Sequence, residues 1–218
     1  TPTLDGYSFM SWSGDITSTL NPLTINVDSN LSLTANFSLN NYSLTVSAGT
    51  GGTVSGEGDF PNGTLAVINA IPDSGYSFEG WTGDGIIDPK ARNTTVRMTG
   101  NKTVSASFSL NQYSLSLFSG EGGFVSGEGN FSAGSTPSIS AAPDEGFYFG
   151  GWLGEGVEEP SAPKTTISMT DNRIATAIFS PNMYILNLAS SGFGEVLGEG
   201  NYSHGQIVSI TATPEIGY

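Results

Sequence analysis

Few residues of this chain combine the type and the spacing that catalysis requires. Asp73, Ser74 and Gly75 match the short motif of aspartic proteases, but the equivalent stretches 71 and 142 residues later read Asp-Glu-Gly and Glu-Ile-Gly. The shared feature is a glycine turn after a proline, which indicates architecture and not a carboxylate site. A Ser-His-acid triad would need His204, the only histidine, which lies in the turn sequence Ser-His-Gly. Neither pattern predicts an enzyme.

Acidic side chains are the other group that could do chemistry, as ligands for a cation. Glu57 and Asp59, or Asp84 and Asp88, could offer oxygen ligands to calcium, although their spacing matches no known ion loop. The Gly-Glu-Gly triplets that contain Glu57 and its counterparts lack the lysine and the helix of a phosphate loop. They favour a bulge or a close backbone approach. Calcium is thus one hypothesis, and the sequence predicts no other cofactor.

Charge and composition narrow the range of partners. The formal net charge is -14 with only 6 Lys and Arg, and none of these lies in residues 1–89. Such a chain repels phosphate backbones, so nucleic acid is not expected as a partner. The absence of cysteine excludes disulfides and thiolate metal sites. No apolar run approaches the roughly 20 residues that cross a bilayer, so no membrane span is predicted.

A repeat of about 71 residues organises the whole sequence, and such a period decides the architecture before any local pattern does. Aromatic residues recur at this spacing, and the tryptophans follow it within two residues: Tyr42, Tyr113 and Tyr184; Phe37, Phe108 and Phe179; Trp12, Trp81 and Trp152. The period predicts the C-terminal half of a repeat at 1–40, complete repeats at 41–110 and 111–181, and the N-terminal half of a repeat at 182–218. The two ends are therefore expected to be complementary halves cut from a continuing array.

Each complete repeat reads as a set of short strands. Tyr42, Leu44 and Val46 alternate with polar residues, which is typical of a half-buried strand. Glycine-rich turns separate about six such segments, so the prediction is an all-β protein of tandem small sheet domains, either β-grasp-like or small sandwiches. Only a few residues link one repeat to the next, and we expect the array to form a semi-rigid rod.

The tryptophans lie in glycine-rich stretches such as GYSFEGWTGDG at 75–85, which suit either a sugar-binding platform or a packed core. Strict alternation would place Trp81 opposite Phe78 unless a bulge at Gly80 turns the indole inward. A repeat of this size without cysteine needs its large aromatics for burial. The nine recurring tryptophan, tyrosine and phenylalanine residues named above are therefore predicted to form the structural core.

The order of these elements resembles a known family. The stretches YSLTVSAGTGGTVSGEG, AIPDSGYSFEGWTGD and NKTVSASF resemble the divergent internalin-type B-repeat of bacterial and archaeal surface proteins, and the resemblance covers essentially all 218 residues. It implies a small extracellular β module, used in tandem in adhesins and other long surface proteins, without catalytic residues.

These observations lead to one expected function and one alternative. The expected function is a non-enzymatic stalk or fibre segment of a large protein outside the cell or on its surface. Its partners would be neighbouring repeats or copies of itself, joined head to tail when strands of one copy complete a sheet of the next. The alternative is an adhesin module that binds carbohydrate or cell-surface glycans through exposed aromatic residues.

Overall fold

The structure, a computed structural model, describes residues 6–217 as strands joined by turns and loops, which confirms the all-β fold class. The chain divides into two compact units, Thr1–Leu110 and Asn111–Tyr218. Among the described residues there is no helix with the length and apolarity needed to span a membrane.

The first unit contains a half repeat followed by a complete repeat. The half repeat has the strands β1 (Tyr7–Gly14) and β2 (Leu33–Leu39). The complete repeat has the strands β3 (Asn41–Ala48), β4 (Gly52–Ser55), β5 (Gly58–Pro61), β6 (Leu65–Pro72), β7 (Tyr76–Gly83), β8 (Asn93–Arg97) and β9 (Lys102–Leu110).

The second unit contains these parts in the opposite order. Its complete repeat has the strands β10 (Gln112–Ser119), β11 (Gly123–Ser126), β12 (Gly129–Ser132), β13 (Ser138–Pro143), β14 (Phe147–Leu153), β15 (Lys164–Thr166) and β16 (Arg173–Pro181). Its half repeat has the strands β17 (Met183–Leu186), β18 (Gly194–Leu197), β19 (Gly200–Ser203) and β20 (Thr211–Pro214).

Each complete repeat folds into two sheets. In the first, a four-stranded sheet has the order β5-β3-β9-β7 and a three-stranded sheet has the order β4-β6-β8; the second repeat matches it with β12-β10-β16-β14 and β11-β13-β15. The expected number of about six strands is one too low, because the glycine-rich segment after β3 forms two short strands that join different sheets. Its glycines allow the abrupt change of direction that this requires.

The core of each complete repeat lies between its two sheets. In the first repeat Leu44, Val104 and Ala106 come from the larger sheet, and Ala66 and Ile68 from the smaller one, and all are nearly fully buried. On the larger sheet polar residues alternate with them and face outward, as expected for strands with one buried face. On β6 of the smaller sheet most of the alternating outward residues are apolar. The arrangement is a small sandwich. The β-grasp-like alternative, which would pack a helix on the sheet, does not describe it.

The first and last strands of a repeat lie side by side and run parallel. Leu44 of β3 is paired with Lys102 of β9, and Ala48 with Ala106. Because both strands run in the same direction, the chain enters the repeat at one end of the sheet and leaves it at the other. In this pairing Asn41 and Leu110 lie at opposite ends of the two strands, about 11 residues apart along the strand direction. At about 3.3 Å per residue this separation is about 36 Å.

The first position of the Gly-Glu-Gly triplet requires glycine because two backbone segments approach each other closely there. Gly56 has φ +115, and a Cβ there would lie 2.3 Å from the carbonyl oxygen of Val67. Gly63 has φ +84, but a Cβ there would meet nothing within 4 Å. We expect Gly63→Ala to cost about 1–2 kcal/mol of unfolding free energy through backbone strain alone. Gly56→Ala should cost a further ~1–3 kcal/mol because β6 must also shift.

Urea denaturation of the two glycine variants tests this prediction. The comparison isolates the close approach, since both glycines have positive φ and only one is crowded. Equal unfolding free energies for Gly56→Ala and Gly63→Ala would contradict the role given to the triplet.

Candidate functional site

The tryptophans of the complete repeats lie in the cores of these repeats. Trp81 is 4% exposed and Trp152 is 3% exposed. The pairing of β7 with β9 shifts register between Phe78 and Gly80, which is the bulge that the glycine predicts. The bulge takes up one residue, so that Phe78 and Trp81 both reach the interior despite their odd spacing. Buried indole rings cannot serve as a platform for a sugar.

The same aromatic contacts are built in all three copies. Phe78 lies 5.8 Å from Trp81 and 6.0 Å from Phe108 between ring centroids, with the rings steeply inclined. Equivalent contacts join Phe149 to Trp152 and Phe179, and Phe9 to Trp12 and Phe37. Edge-to-face contacts of this kind add to the free energy of burial. The Trp81 indole Nε1 donates to the carbonyl oxygen of Ala91 at 3.1 Å, which satisfies its polar group.

The recurring aromatic residues are less buried in the half repeats than in the complete repeats. Tyr42, Tyr113, Phe108 and Phe179 pack partly buried against the two cores. The expectation that Phe37 and Tyr184 are core residues is wrong, because they are 60% and 55% exposed. Trp12 is half-buried. The reason is physical, because each half repeat has only part of the strand set. Among the described residues, the half repeat with Phe37 has no second sheet, and the half repeat with Tyr184 lacks the equivalents of β7, β8 and β9.

The acidic residues considered for calcium are dispersed. Glu57, Asp59, Asp84 and Asp88 are all exposed, and no group of three or more His, Cys, Asp or Glu residues suited to a metal ion occurs in residues 6–217. Asp88 instead accepts a hydrogen bond from the backbone N–H of Lys90 at 3.0 Å, which closes its own turn. The structure therefore does not assemble these carboxylates into a cation site.

A hydrogen-bonded junction joins the half repeat of the first unit to the complete repeat. The N–H of Asn40 donates to the carbonyl oxygen of Gly6 at 2.8 Å, and the N–H of Asn62 donates to the carbonyl oxygen of Asn40 at 2.8 Å. The Asn62 side chain lies so close to Gly6 that a Cβ on this glycine would be 1.8 Å from Nδ2. Asn40 thus ties a turn of one repeat to a turn of the next.

The second unit builds the same junction after its complete repeat. Asn182 donates to Gly146 at 2.7 Å and accepts from the N–H of His204 at 2.9 Å. The His204 ring takes the place of the Asn62 side chain, since a Cβ on Gly146 would lie 2.1 Å from its Cδ2. His204 therefore lies at a contact between repeats and not in a catalytic triad. No motif marks these junction residues in the sequence, although an asparagine recurs every 71 residues, at 40, 111 and 182.

The half repeats leave apolar positions open that the complete repeats bury. Ile68 and Ile139 are 0% and 1% exposed, whereas the equivalent Ile210 is 62% exposed. Likewise Val104 is buried, and its counterpart Leu33 in β2 is only half-buried. These open faces are the largest departures from the packing of a complete repeat.

The strands at the open edges are also short. The first strand of each complete repeat, β3 or β10, has 8 residues, whereas its counterpart β17 has 4. The last strand, β9 or β16, has 9 residues, whereas its counterpart β2 has 7. In a complete repeat these two strands pair with each other, so the half repeats lack the partner that holds the ends extended. Each open edge thus lacks the parallel strand that its counterpart has in a complete repeat.

The recurrent fold and junction agree with a family comparison. The divergent InlB B-repeat domain matches four stretches of the sequence, at residues 2–41, 42–112, 113–183 and 184–218. The chain belongs to this family. B-repeat domains are typical of bacterial surface proteins and are generally non-catalytic.

One curated relative of this B-repeat chain comes from Evansella cellulosilytica and carries the name Gly-rich membrane protein. The two sequences are 24% identical over 217 residues, which is 98% of this chain but 25% of that protein. The chain thus spans about a quarter of the relative's length. The comparison with solved structures gave no match.

Proposed function

We propose that this B-repeat chain is a structural segment of a long cell-surface protein, in which each repeat carries the polypeptide away from its anchor. The observation that carries the proposal is the parallel pairing of β3 with β9 and of β10 with β16. It places the entry and exit of the chain at opposite ends of each sheet. A fibre built from such repeats grows by about 36 Å for each one.

The junctions support the same function. In each unit two backbone hydrogen bonds and a side chain packed on a glycine hold a repeat against the neighbouring half repeat. Each such hydrogen bond contributes about 0.5–1.5 kcal/mol. Together with a linker of only one residue, Asn40 between β2 and β3 or Asn182 between β16 and β17, they restrict bending. The array is therefore proposed to be semi-rigid.

We also propose that the open half repeats are completed by halves of the same kind. For the isolated 218-residue chain the complementary half comes from a second copy, whose β2 edge pairs in parallel with β17. The equivalent strands in complete repeats predict the register: Leu186 would face Leu31, and Leu188 would face Leu33, as Leu44 faces Lys102 and Val46 faces Val104. This pairing would bury Ile210 and Leu33 as their counterparts are buried.

Deletion of one complete repeat tests the stalk function. Removing residues 42–112 fuses Asn41 to Tyr113, so that the junction sequence is preserved. If each repeat extends the chain, the maximum dimension from small-angle X-ray scattering at low protein concentration should fall by about 36 Å. An insertion of a second copy of 42–112 is the matched control and should lengthen the particle by the same amount. A change much smaller than this in both variants would contradict the extended arrangement.

A further inference from the structure

The two complete repeats differ sharply on one surface, the outer face of the four-stranded sheet. In the second repeat this face carries five large apolar or aromatic side chains that are 39–63% exposed: Phe118, Tyr148, Leu153, Ile174 and Ile178. We call this set the apolar face. The first repeat has small polar residues at all five equivalent positions: Ser47, Ser77, Thr82, Thr103 and Ser107. The fold therefore does not need these apolar residues.

The apolar face is continuous. Thr176 in β16 pairs with Phe118 on one side and with Leu153 on the other. Ile174 and Ile178 lie two residues before and after Thr176 and point to the same side. With large side chains of about 150–250 Å² each, the exposed part of the five amounts to about 500 Å². This is near the upper end of the apolar patches on monomeric proteins, and such patches are often functional.

The apolar face is also uncharged, in a chain whose net charge is -14. Arg173 is the only charged residue in β10, β12, β14 and β16, and its guanidinium turns aside to form an ion pair with Glu155 at 2.9 Å. The corresponding sheet of the first repeat contains Asp59, Glu79 and Lys102. A surface of this kind has no charged group that could pair with a charged partner. Two identical surfaces can pack together without burying an unpaired charge.

We propose that the apolar face binds the same face of a second copy, so that two chains associate side by side. In a two-fold contact the same patch serves both partners, and the five side chains meet around Thr176. About 500 Å² of apolar surface per copy, with the surrounding Ser and Gln side chains as a polar rim, approaches the ~800 Å² per partner of a standard interface. The pairing is lateral and is independent of head-to-tail contact through the half repeats.

A carbohydrate fits the apolar face less well. Its two aromatic residues, Phe118 and Tyr148, lie on the two strands that flank β16. Along the strand direction they are four residues apart. This separation is about 16 Å, so one sugar ring cannot stack on both. Aliphatic side chains fill the space between them.

The first repeat supplies the test variant. We exchange the five residues for those of its equivalent face: Phe118→Ser, Tyr148→Ser, Leu153→Thr, Ile174→Thr and Ile178→Ser. Sedimentation equilibrium of this variant and the wild type, over a range of concentrations, compares the two under the same head-to-tail association. We expect the lateral association constant to fall at least about tenfold. Equal association of the two proteins would overturn the proposal.

A second measurement does not depend on the folding of that variant. The chain has no cysteine, so Thr176→Cys introduces a single thiol at the centre of the apolar face, and Ser105→Cys is its counterpart on the polar face. Sheets packed face to face lie about 10 Å apart, which suits a short bismaleimide cross-linker. We expect a covalent dimer from Thr176→Cys at a rate at least about tenfold above that from Ser105→Cys. Equal rates would overturn the proposal, whatever head-to-tail association occurs.

Discussion

Replacing Trp81 with alanine is expected to unfold the first complete repeat or leave it barely stable. Truncation of a buried tryptophan costs about 3–5 kcal/mol, and the indole is 4% exposed and touches Phe78. A domain of this size has only about 4–10 kcal/mol of stability in total. Backbone amides of β3, β6 and β9 should therefore exchange hydrogen about 100-fold faster or more, measured by mass spectrometry of peptides from this repeat.

The control for Trp81→Ala is Trp12→Ala in the half repeat. Trp12 occupies the equivalent position and makes the same ring contact, but it is half-buried because the covering sheet is absent. Its truncation removes less apolar burial and should cost clearly less. Unchanged amide exchange in 41–110 after Trp81→Ala would contradict the packing role of the indole.

Several features of the fold could be predicted because they depend on local sequence. The period of 71 residues and the alternation of Tyr42, Leu44 and Val46 are visible in the chain itself. The bulge at Gly80 could also be inferred, since only an extra residue brings both Phe78 and Trp81 inside. The period needs only a comparison of the sequence with itself, and the other two inferences use residues that are neighbours in one strand.

Features that depend on distant pairing could not be predicted. Alternation shows which residues share a face, but it does not show that β3 pairs with β9, more than 50 residues away, or in which direction. Exposure of Phe37 and Tyr184 follows from strands that the half repeats lack, and no local pattern records this. The apolar face is not visible in the sequence because its five residues come from β10, β14 and β16, and only the register places them together.

Mixing two single-cysteine variants should give a disulfide-linked dimer if half repeats complete each other. Asn187→Cys and Ser32→Cys replace the exposed residues equivalent to Thr45 and Thr103, which are paired in β3 and β9. Adjacent strands are about 4.8 Å apart, within the range of Cα separations that a disulfide spans. A thiol held opposite its partner has an effective concentration of about 1 mM. At micromolar protein, disulfide formation on a non-reducing gel should be on the order of 100-fold faster than for unpaired thiols.

The register supplies a strict control for this experiment. Asn187→Cys mixed with Thr34→Cys places the second thiol on the same face but two residues further along, about 6.6 Å away in the strand direction. The Cα atoms would then be about 8 Å apart, which is too far for an unstrained disulfide. Because each chain carries one thiol, closure within a chain cannot imitate the product. Equal yields from the two mixtures would show that β17 and β2 do not pair as β3 and β9 do, and would remove strand complementation from the proposed function while leaving the stalk intact.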